Sequence, residues 1–500
     1  MRQKVLVFVV AYNAQTTIKD VISRIPASLA GTYDIEILII DDASQDATFE
    51  VGHRLSLDQS GPFKLRVLFN PVNQGYGGNQ KLGYHYAIEN GFDFVALLHG
   101  DGQYAPECLP ALLEPLSKGQ ADAVFGSRMI TPKAALNGGM PAYKYLGNKI
   151  LTWIENRLLK AQLSEFHSGY RVYSTRALAS LPFDRNTNDF HFDTEIIIQF
   201  LTARLRIVEL PIPTYYGDEI CHVNGIKYAF DVVVAALKAK LQGAGLLYER
   251  KFDCADPKSL PYEPKLNYTS PHSLAFAQIR QGAKVLDVGC ADGYMGAALT
   301  REKQCEVTGV DAFPPASHQV QEFYLHDLNQ GPPKLDYRRF DYVLLLDVLE
   351  HLAQPERFLE QLREELGLNQ ACEIIVSTGN VAFFITRAML MLGQFNYGKR
   401  GILDLTHTRL FTFASFRRSL VQSGFTVSST RGVPGPFPLA LGDNFVSRFL
   451  LGLNQTLIHL SRGLFSYQVF MIVKATPTLG TLLKEAQVAS AVRAGGVAHT

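Results

Sequence analysis

Glu36-Ile37-Leu38-Ile39-Ile40-Asp41-Asp42 near the start of the chain and Lys284-Val285-Leu286-Asp287-Val288-Gly289 far downstream are the two stretches on which the fold turns. Each is a short apolar run, rich in β-branched residues, that ends in acids or in glycine. Such a run reads as a strand buried on both faces of a parallel sheet. Ligands of open α/β sheets bind in the crevice beyond the carboxyl ends of the strands, so each run nominates a site. Two such runs predict two sheets and two transfer reactions.

Further strand candidates lie around both runs. In the first half they are 4–12, 35–42, 65–70 and 93–101; in the second, 284–289, 305–311, 340–347 and 372–377, followed by 424–430, a helical 444–462 and a strand 467–474. Strands alternating with helical or polar segments predict α/β architecture with mostly parallel sheets. Prolines at 257, 261, 264 and 271 punctuate a polar stretch and mark a linker. The expected organisation is a domain at 1–245, a linker at 246–271, a domain at 272–476 and a frayed tail at 477–500.

Composition narrows the classes. A formal net charge of +1 over 500 residues excludes bulk nucleic-acid binding by charge. The six cysteines have no C-x-x-C pair and no zinc spacing, which fits reduced thiols in a cytoplasmic enzyme. The apolar run Val5–Ala11 resembles a signal core but passes into Tyr12-Asn13 without a cleavage site, so it reads as the first strand. No apolar run approaches the roughly 18 residues of a spanning helix. The expected location is cytoplasmic, at most at the inner face of the membrane. The helical stretch 226–242 with Lys227, Lys238 and Lys240 either lies on a membrane surface or packs on the core.

In the first half an ordered set of motifs carries more information: Ala11-Tyr12-Asn13, Asp41-Asp42-Ala43-Ser44-Gln45-Asp46, Asn73-Gln74-Gly75-Tyr76-Gly77-Gly78-Asn79, His99-Gly100-Asp101-Gly102-Gln103, Gly126-Ser127-Arg128 and His167-Ser168-Gly169-Tyr170-Arg171. The set resembles glycosyltransferase family 2, in particular its polyprenyl-phosphate (dolichol-phosphate) hexosyltransferase branch, over about 1–220. The resemblance implies a GT-A-like fold and a nucleotide-sugar donor bound by Tyr12, Asp41, Asp42 and Arg128. It also implies a divalent cation, Mn²⁺ or Mg²⁺, held by Asp101 and Gln103. The family's metal motif usually reads acid-x-acid, and His99 stands at its first acid: as a ligand it favours Mn²⁺, and as a packed ring it marks an inactive site. Asp193 is the candidate base for a sugar hydroxyl, with a helix N-cap ahead of Ile196-Ile197-Ile198 as the alternative. A lipid-phosphate acceptor is already ionised and needs no base; Arg128 and Arg171 would then matter more.

In the second half, Val285-Leu286-Asp287-Val288-Gly289-Cys290-Ala291-Asp292-Gly293 is followed by Val307-Thr308-Gly309-Val310-Asp311, His326-Asp327-Leu328 and Phe340–Leu352. This order resembles the class I methyltransferases, with Ala291 in place of the middle glycine. The resemblance implies a Rossmann-like fold and an S-adenosyl-L-methionine site built on Asp287, Gly289, Gly293, Asp311, Asp327 and Asp347. His407 is the candidate base. Asp347-Val348-Leu349-Glu350-His351 can also be laid on a metal pattern of some O-methyltransferases. The combined expectation is a bifunctional enzyme that transfers a sugar to a glycan or polyprenyl-phosphate acceptor and a methyl group from S-adenosyl-L-methionine. The rival is a methyltransferase carrying an inactive nucleotide-sugar docking domain.

Overall fold

The computed structural model describes residues 2–58, 61–215, 224–243, 247–254, 266–314, 320–367, 369–438, 442, 444–483 and 487. The chain divides into two compact units, Met1–Gly243 with Tyr248–Leu260 and Ala244–Leu247 with Pro261–Thr500.

The first unit is built on seven strands: β1 (Lys4–Ala11), β2 (Asp34–Asp41), β3 (Lys64–Phe69), β4 (Phe94–His99), β5 (Ala123–Ser127), β6 (Arg171–Ser174) and β7 (Ile207–Pro211), in the order β3-β2-β1-β4-β6-β5-β7. The first four are mutually parallel and β6 is antiparallel to both of its neighbours. The central strands are buried on both faces because their runs are continuously apolar. One core layer forms on Val5, Val7, Val9, Ile37, Ile39 and Leu98; the opposite layer forms on Leu6, Phe8, Leu38, Ile40 and Leu97. The helix Tyr76–Glu89 crosses this second layer closely. A Cβ at Gly83 would lie 2.2 Å from the Phe8 ring.

Strands β5 to β7 escaped the sequence reading, as did the helix Ala142–Leu159. The strands are short, and β6 opens on a buried arginine, so neither length nor period marks them. The helix Gly225–Gly243 packs on Ala142–Leu159 and on Phe192–Thr202. Its lysines do not form an unengaged basic face: Lys227 pairs with Asp189 and Asp231, and Lys238 with Glu249. The stretch 248–254, placed in the linker by sequence, is part of the first unit. Phe252 is buried beside Ile198 and Ala235, and Lys251 pairs with the buried Glu195. The expected linker's prolines at 257, 261 and 264 lie outside the described residues, as does most of the expected tail.

The second unit has β8 (Lys284–Val288), β9 (Glu306–Asp311), β10 (Glu322–Leu325), β11 (Tyr342–Leu346), β12 (Glu373–Gly379), β13 (Phe425–Val433) and β14 (Gln468–Ala475), in the order β10-β9-β8-β11-β12-β14-β13. Five strands are parallel, while β14 runs antiparallel to β12 and β13. The chain order reverses between β8 and β11, the topological switch point at which doubly wound sheets bind ligands. Reciprocal Ser270 and Ser273 hydrogen bonds cap the first helix, Pro271–Gln278. Among the described residues no helix is long and apolar enough to cross a membrane, and Cys108, Cys254, Cys290, Cys305 and Cys372 are unbridged.

Gly83→Ala should destabilise the first unit by about 1–3 kcal/mol, because its methyl group must displace Phe8. Differential scanning calorimetry should show the first unit's transition moving down and the second unit's unchanged.

Candidate active sites

In the first unit, β1, β2 and β4 end in line: Ala11 is in register with Asp41, and Val10 with His99. The loops beyond them are laced together. Asn13 N donates to Ser44 Oγ at 2.8 Å, and Gln45 N donates to Asn13 Oδ1 at 3.0 Å. Asn13 and Ala43 hold left-handed backbone, a strain that packed surroundings must maintain.

The two acids at the end of β2 do different work. Asp42 Oδ1 accepts from Asn70 Nδ2 at 2.7 Å and Gln74 N at 2.8 Å, so Asp42 fastens the loop that leads into the helix at Tyr76. Asp41 Oδ1 accepts from Ser44 N at 3.0 Å, while its buried Oδ2 has no hydrogen-bond partner among the described residues. Burial raises its pKa. An orphaned buried acceptor costs about 1–3 kcal/mol and is suited to a ligand donor. Tyr12 stands exposed beside it at the end of β1.

At the end of β4, Asp101 is exposed, and Gln103 N donates to its Oδ1 at 3.0 Å. His99 turns inward. Its ring packs edge-on against Tyr104 at 4.9 Å and Tyr76 at 5.5 Å, with Nε2 3.3 Å from Tyr76 Oη. Gly169 covers it, and a Cβ there would lie 2.5 Å from Nε2. Burial lowers the His99 pKa, so the ring is neutral near pH 7. This geometry spends Nε2 on Tyr76.

Asp193 lies in the first turn of Phe192–Thr202 and caps nothing; His191 holds the cap position. It is buried, accepting from Tyr76 Oη at 2.9 Å and Gln80 Nε2 at 3.2 Å, with Arg171 Nη1 3.6 Å away. Arg171 is likewise buried and donates to the carbonyls of Phe166, Ser168 and Asp193. Arg128 donates through its backbone and side chain to buried Glu165 and through Nη2 to the His167 carbonyl. Burial alone would raise the Glu165 pKa, but Arg128 lowers it. Asp193 is therefore the counter-ion of Arg171, and Arg128 that of Glu165. Glu165, Gln80 and Tyr104 escaped the sequence reading because their partners are remote in the chain. A separate trio, Asp189, His191 and Asp231, brings possible metal ligands together, but Lys227 already bridges both acids.

In the second unit the turn after β8 holds three left-handed residues, Gly289, Ala291 and Gly293. A Cβ at Gly289 would lie 2.6 Å from Val348. Ala291 adopts the conformation that favours glycine, and Asp311 supports it. Ala291 N donates to Asp311 Oδ2 at 2.9 Å, and Phe313 N donates to Oδ1 at 3.1 Å. His326 N reaches the Asp311 carbonyl, which fixes Asp327 at the neighbouring strand end. Asp327 is exposed and accepts from Asn329 N at 3.0 Å. Asp287 is buried, its Oδ2 lacks a hydrogen-bond partner among the described residues, and burial with Asp311 nearby pushes its pKa up to about 7.

Beyond β11, left-handed Asp347 accepts from Ser377 Oγ at 2.7 Å and Gln468 Nε2 at 2.8 Å. Glu350 is buried, and burial with Asp347 nearby pushes it to about 8. His351 and His407 pack ring to ring at 4.7 Å. His407 Nδ1 lies 2.9 Å from the Ile402 carbonyl. A carbonyl only accepts, so Nδ1 carries the proton and Nε2 is left as the basic nitrogen. Among the described residues Asp347, Glu350 and His351 do not converge as metal ligands. The metal pattern laid on 347–351 is therefore not formed.

Residues 6–181 match the glycosyl transferase family 2 model, and residues 263–430 match a methyltransferase domain. The chain carries both domains. It is 29% identical over 252 residues to the UDP-N-acetylglucosamine–dolichyl-phosphate N-acetylglucosaminyltransferase of Methanococcus voltae, which spans 48% of this chain and 98% of that one. An undecaprenyl-phosphate mannosyltransferase of Micrococcus luteus is 29% identical over 217 residues, 42% of this chain and 82% of its own. A ubiquinone biosynthesis O-methyltransferase of Paracidovorax citrulli is 33% identical over 119 residues, 21% of this chain and 44% of its own.

The elevated Asp287 pKa has a testable sign. The folded state keeps a proton that the unfolded chain releases near pH 4, so this group loses stability as pH rises from about 4 to 7. Asp287→Asn should leave the second unit's melting temperature nearly unchanged at about pH 4. At about pH 8 it should stabilise by up to about 4 kcal/mol, the worth of a roughly three-unit displacement. Thermal unfolding of both proteins across that range checks it.

Proposed function

We propose that the first unit transfers a sugar from a nucleotide-sugar donor to a polyprenyl phosphate, and that the second methylates a product of the same pathway with S-adenosyl-L-methionine. The observation that carries the acceptor class is the state of Asp193. A sugar hydroxyl requires a base within hydrogen-bond reach, and the carboxylate assigned to that work is buried and bonded to Tyr76, Gln80 and Arg171. A phosphate acceptor is ionised and requires none. The names of the two lipid-phosphate relatives favour the same class.

On this reading Tyr12 faces the donor base, and Asp41 Oδ2 accepts from the base or ribose. Asp101 and Gln103 hold the Mn²⁺ or Mg²⁺. A cation bound there would neutralise charge on the departing diphosphate. In the second unit the unpartnered Asp287 oxygen and the close approach at Gly289 fit a cationic amino-acid moiety, and Asp311 and Asp327 fit ribose and adenine. S-adenosyl-L-methionine supplies the electrophilic methyl group. His407 Nε2 takes the proton of an acceptor hydroxyl, and Glu350 stays protonated near pH 7 and adds no second base. Joining the two units raises the effective concentration of a shared intermediate.

The inner face of a membrane, where a lipid-linked acceptor lies, suits this reading. The rival, an inactive nucleotide-sugar docking domain, draws on His99 standing packed where the family has an acid.

Asp101→Ala should abolish Mn²⁺-dependent sugar transfer to polyprenyl phosphate and leave S-adenosyl-L-methionine affinity unchanged. Absence of transfer in the unaltered protein would favour the docking domain. Asp311→Ala should weaken S-adenosyl-L-methionine binding by about one to two orders of magnitude, the cost of roughly 1–3 kcal/mol for lost ribose hydrogen bonds. Titration calorimetry reads both affinities.

A further inference from the structure

Two apolar segments of the second unit emerge side by side at the ligand-binding edge of its sheet. The first leaves the carboxyl end of β12 as the helix Phe384–Met391 and the turn after it. The second is the helix Phe445–Leu460, which with Arg462–Phe465 leads into the antiparallel β14. Gly379 at the end of β12 is in register with Gln468 at the start of β14, so both segments open from the same edge. Asn380 ties their bases together by donating to the carbonyls of Gly463 and Ser466, and Phe384 packs on Phe465. Gln468 in turn holds Asp347.

These segments expose what a soluble surface would bury. Met391 and Leu392 are 87% and 79% exposed, and Phe445 and Phe449 are 84% and 61% exposed. Phe445, Phe449 and Leu453 follow one another at four-residue spacing and form one outward face of their helix. The charge pattern indicates what covers them. The chain carries nearly equal numbers of acids and bases, 47 and 48, yet no acid lies between Glu373 and Asp404 or between Asp443 and Glu485, while Arg387, Lys399, Arg400, Arg448 and Arg462 do. A protein partner would tolerate acids at the rim. An apolar face whose own segments carry cations and no acid suits the headgroup and acyl boundary of an anionic bilayer.

We propose that the methyltransferase unit inserts these two segments into an anionic lipid surface and takes its methyl acceptor from that surface. The docking rests on the exposed segments alone. The lipid-linked character of the acceptor rests on the function proposed above.

Trp153 is the chain's single tryptophan and lies on the first unit, so a reporter can be placed in the second. In full-length Trp153→Phe protein, Phe445→Trp and, separately, Leu392→Trp should show blue-shifted emission with phosphatidylglycerol-containing vesicles. Brominated acyl chains should quench both. Pure phosphatidylcholine should give a several-fold weaker response. Paired Met391→Glu and Leu392→Glu substitutions should reduce the quenching at position 445 at least about tenfold, since each lost apolar contact weakens partitioning. Unchanged melting and unchanged S-adenosyl-L-methionine affinity in these variants would show that the cofactor site stands. Reporters that stay unquenched, or that shift with protein concentration in the absence of lipid, would overturn the docking. Absence of measurable S-adenosyl-L-methionine binding by the unaltered protein would instead overturn the functional reading.

Discussion

At one ligand-facing strand end of each unit, a buried carboxylate oxygen has nothing in the described structure to bond to. In one unit it is Asp41 Oδ2, in the other Asp287 Oδ2. A folded chain does not leave such an atom uncompensated without reason, because water bonded to it before burial. Both carboxyls have pKa values raised by burial. Around each, the backbone takes left-handed turns at non-glycine residues, Asn13 and Ala43 in one unit and Ala291 in the other. The surrounding sheet holds these turns in place, and the rest of each site is organised about the gap they frame.

The neighbouring charges are settled internally. Asp42 fastens a loop, Arg171 and Asp193 neutralise each other, and Arg128 and Glu165 do the same. A buried ion pair of this kind stabilises little by itself, but removing one member leaves an uncompensated charge. These pairs act as framework. They fix Tyr76, and through it His99, and leave the proposed chemistry fewer side chains than the motifs suggest: Tyr12, Asp41, Asp101 and Gln103.

The second unit spends its departures from a plain doubly wound sheet at one edge. The segment after β12 and the helices before β14 both open there, both are acid-free, and both expose apolar side chains beside the residues that hold Asp347. The first unit's helix Gly225–Gly243, which sequence offered as a membrane face, has Lys227 and Lys238 committed to acids.

The sequence by itself determined the two sheets, their parallel centres and the motif residues at their strand ends. Central parallel strands are continuous apolar runs, and a turn that approaches a ligand closely demands glycine or a small residue; both are local signals. It also located Asp41, Asp101, Asp287 and Asp311 at strand ends, because an acid directly after an apolar run is legible in one dimension. Only the tertiary structure decided which of those acids are available. Asp42 differs from Asp41, and Asp193 from an accessible base, through partners as distant as Asn70, Tyr76 and Arg171. The short strands β5 to β7 and β10 were equally hidden, since pairing with neighbouring strands and not a period of their own defines them. Pairing and burial are properties of contacts between remote residues, and no local pattern records them.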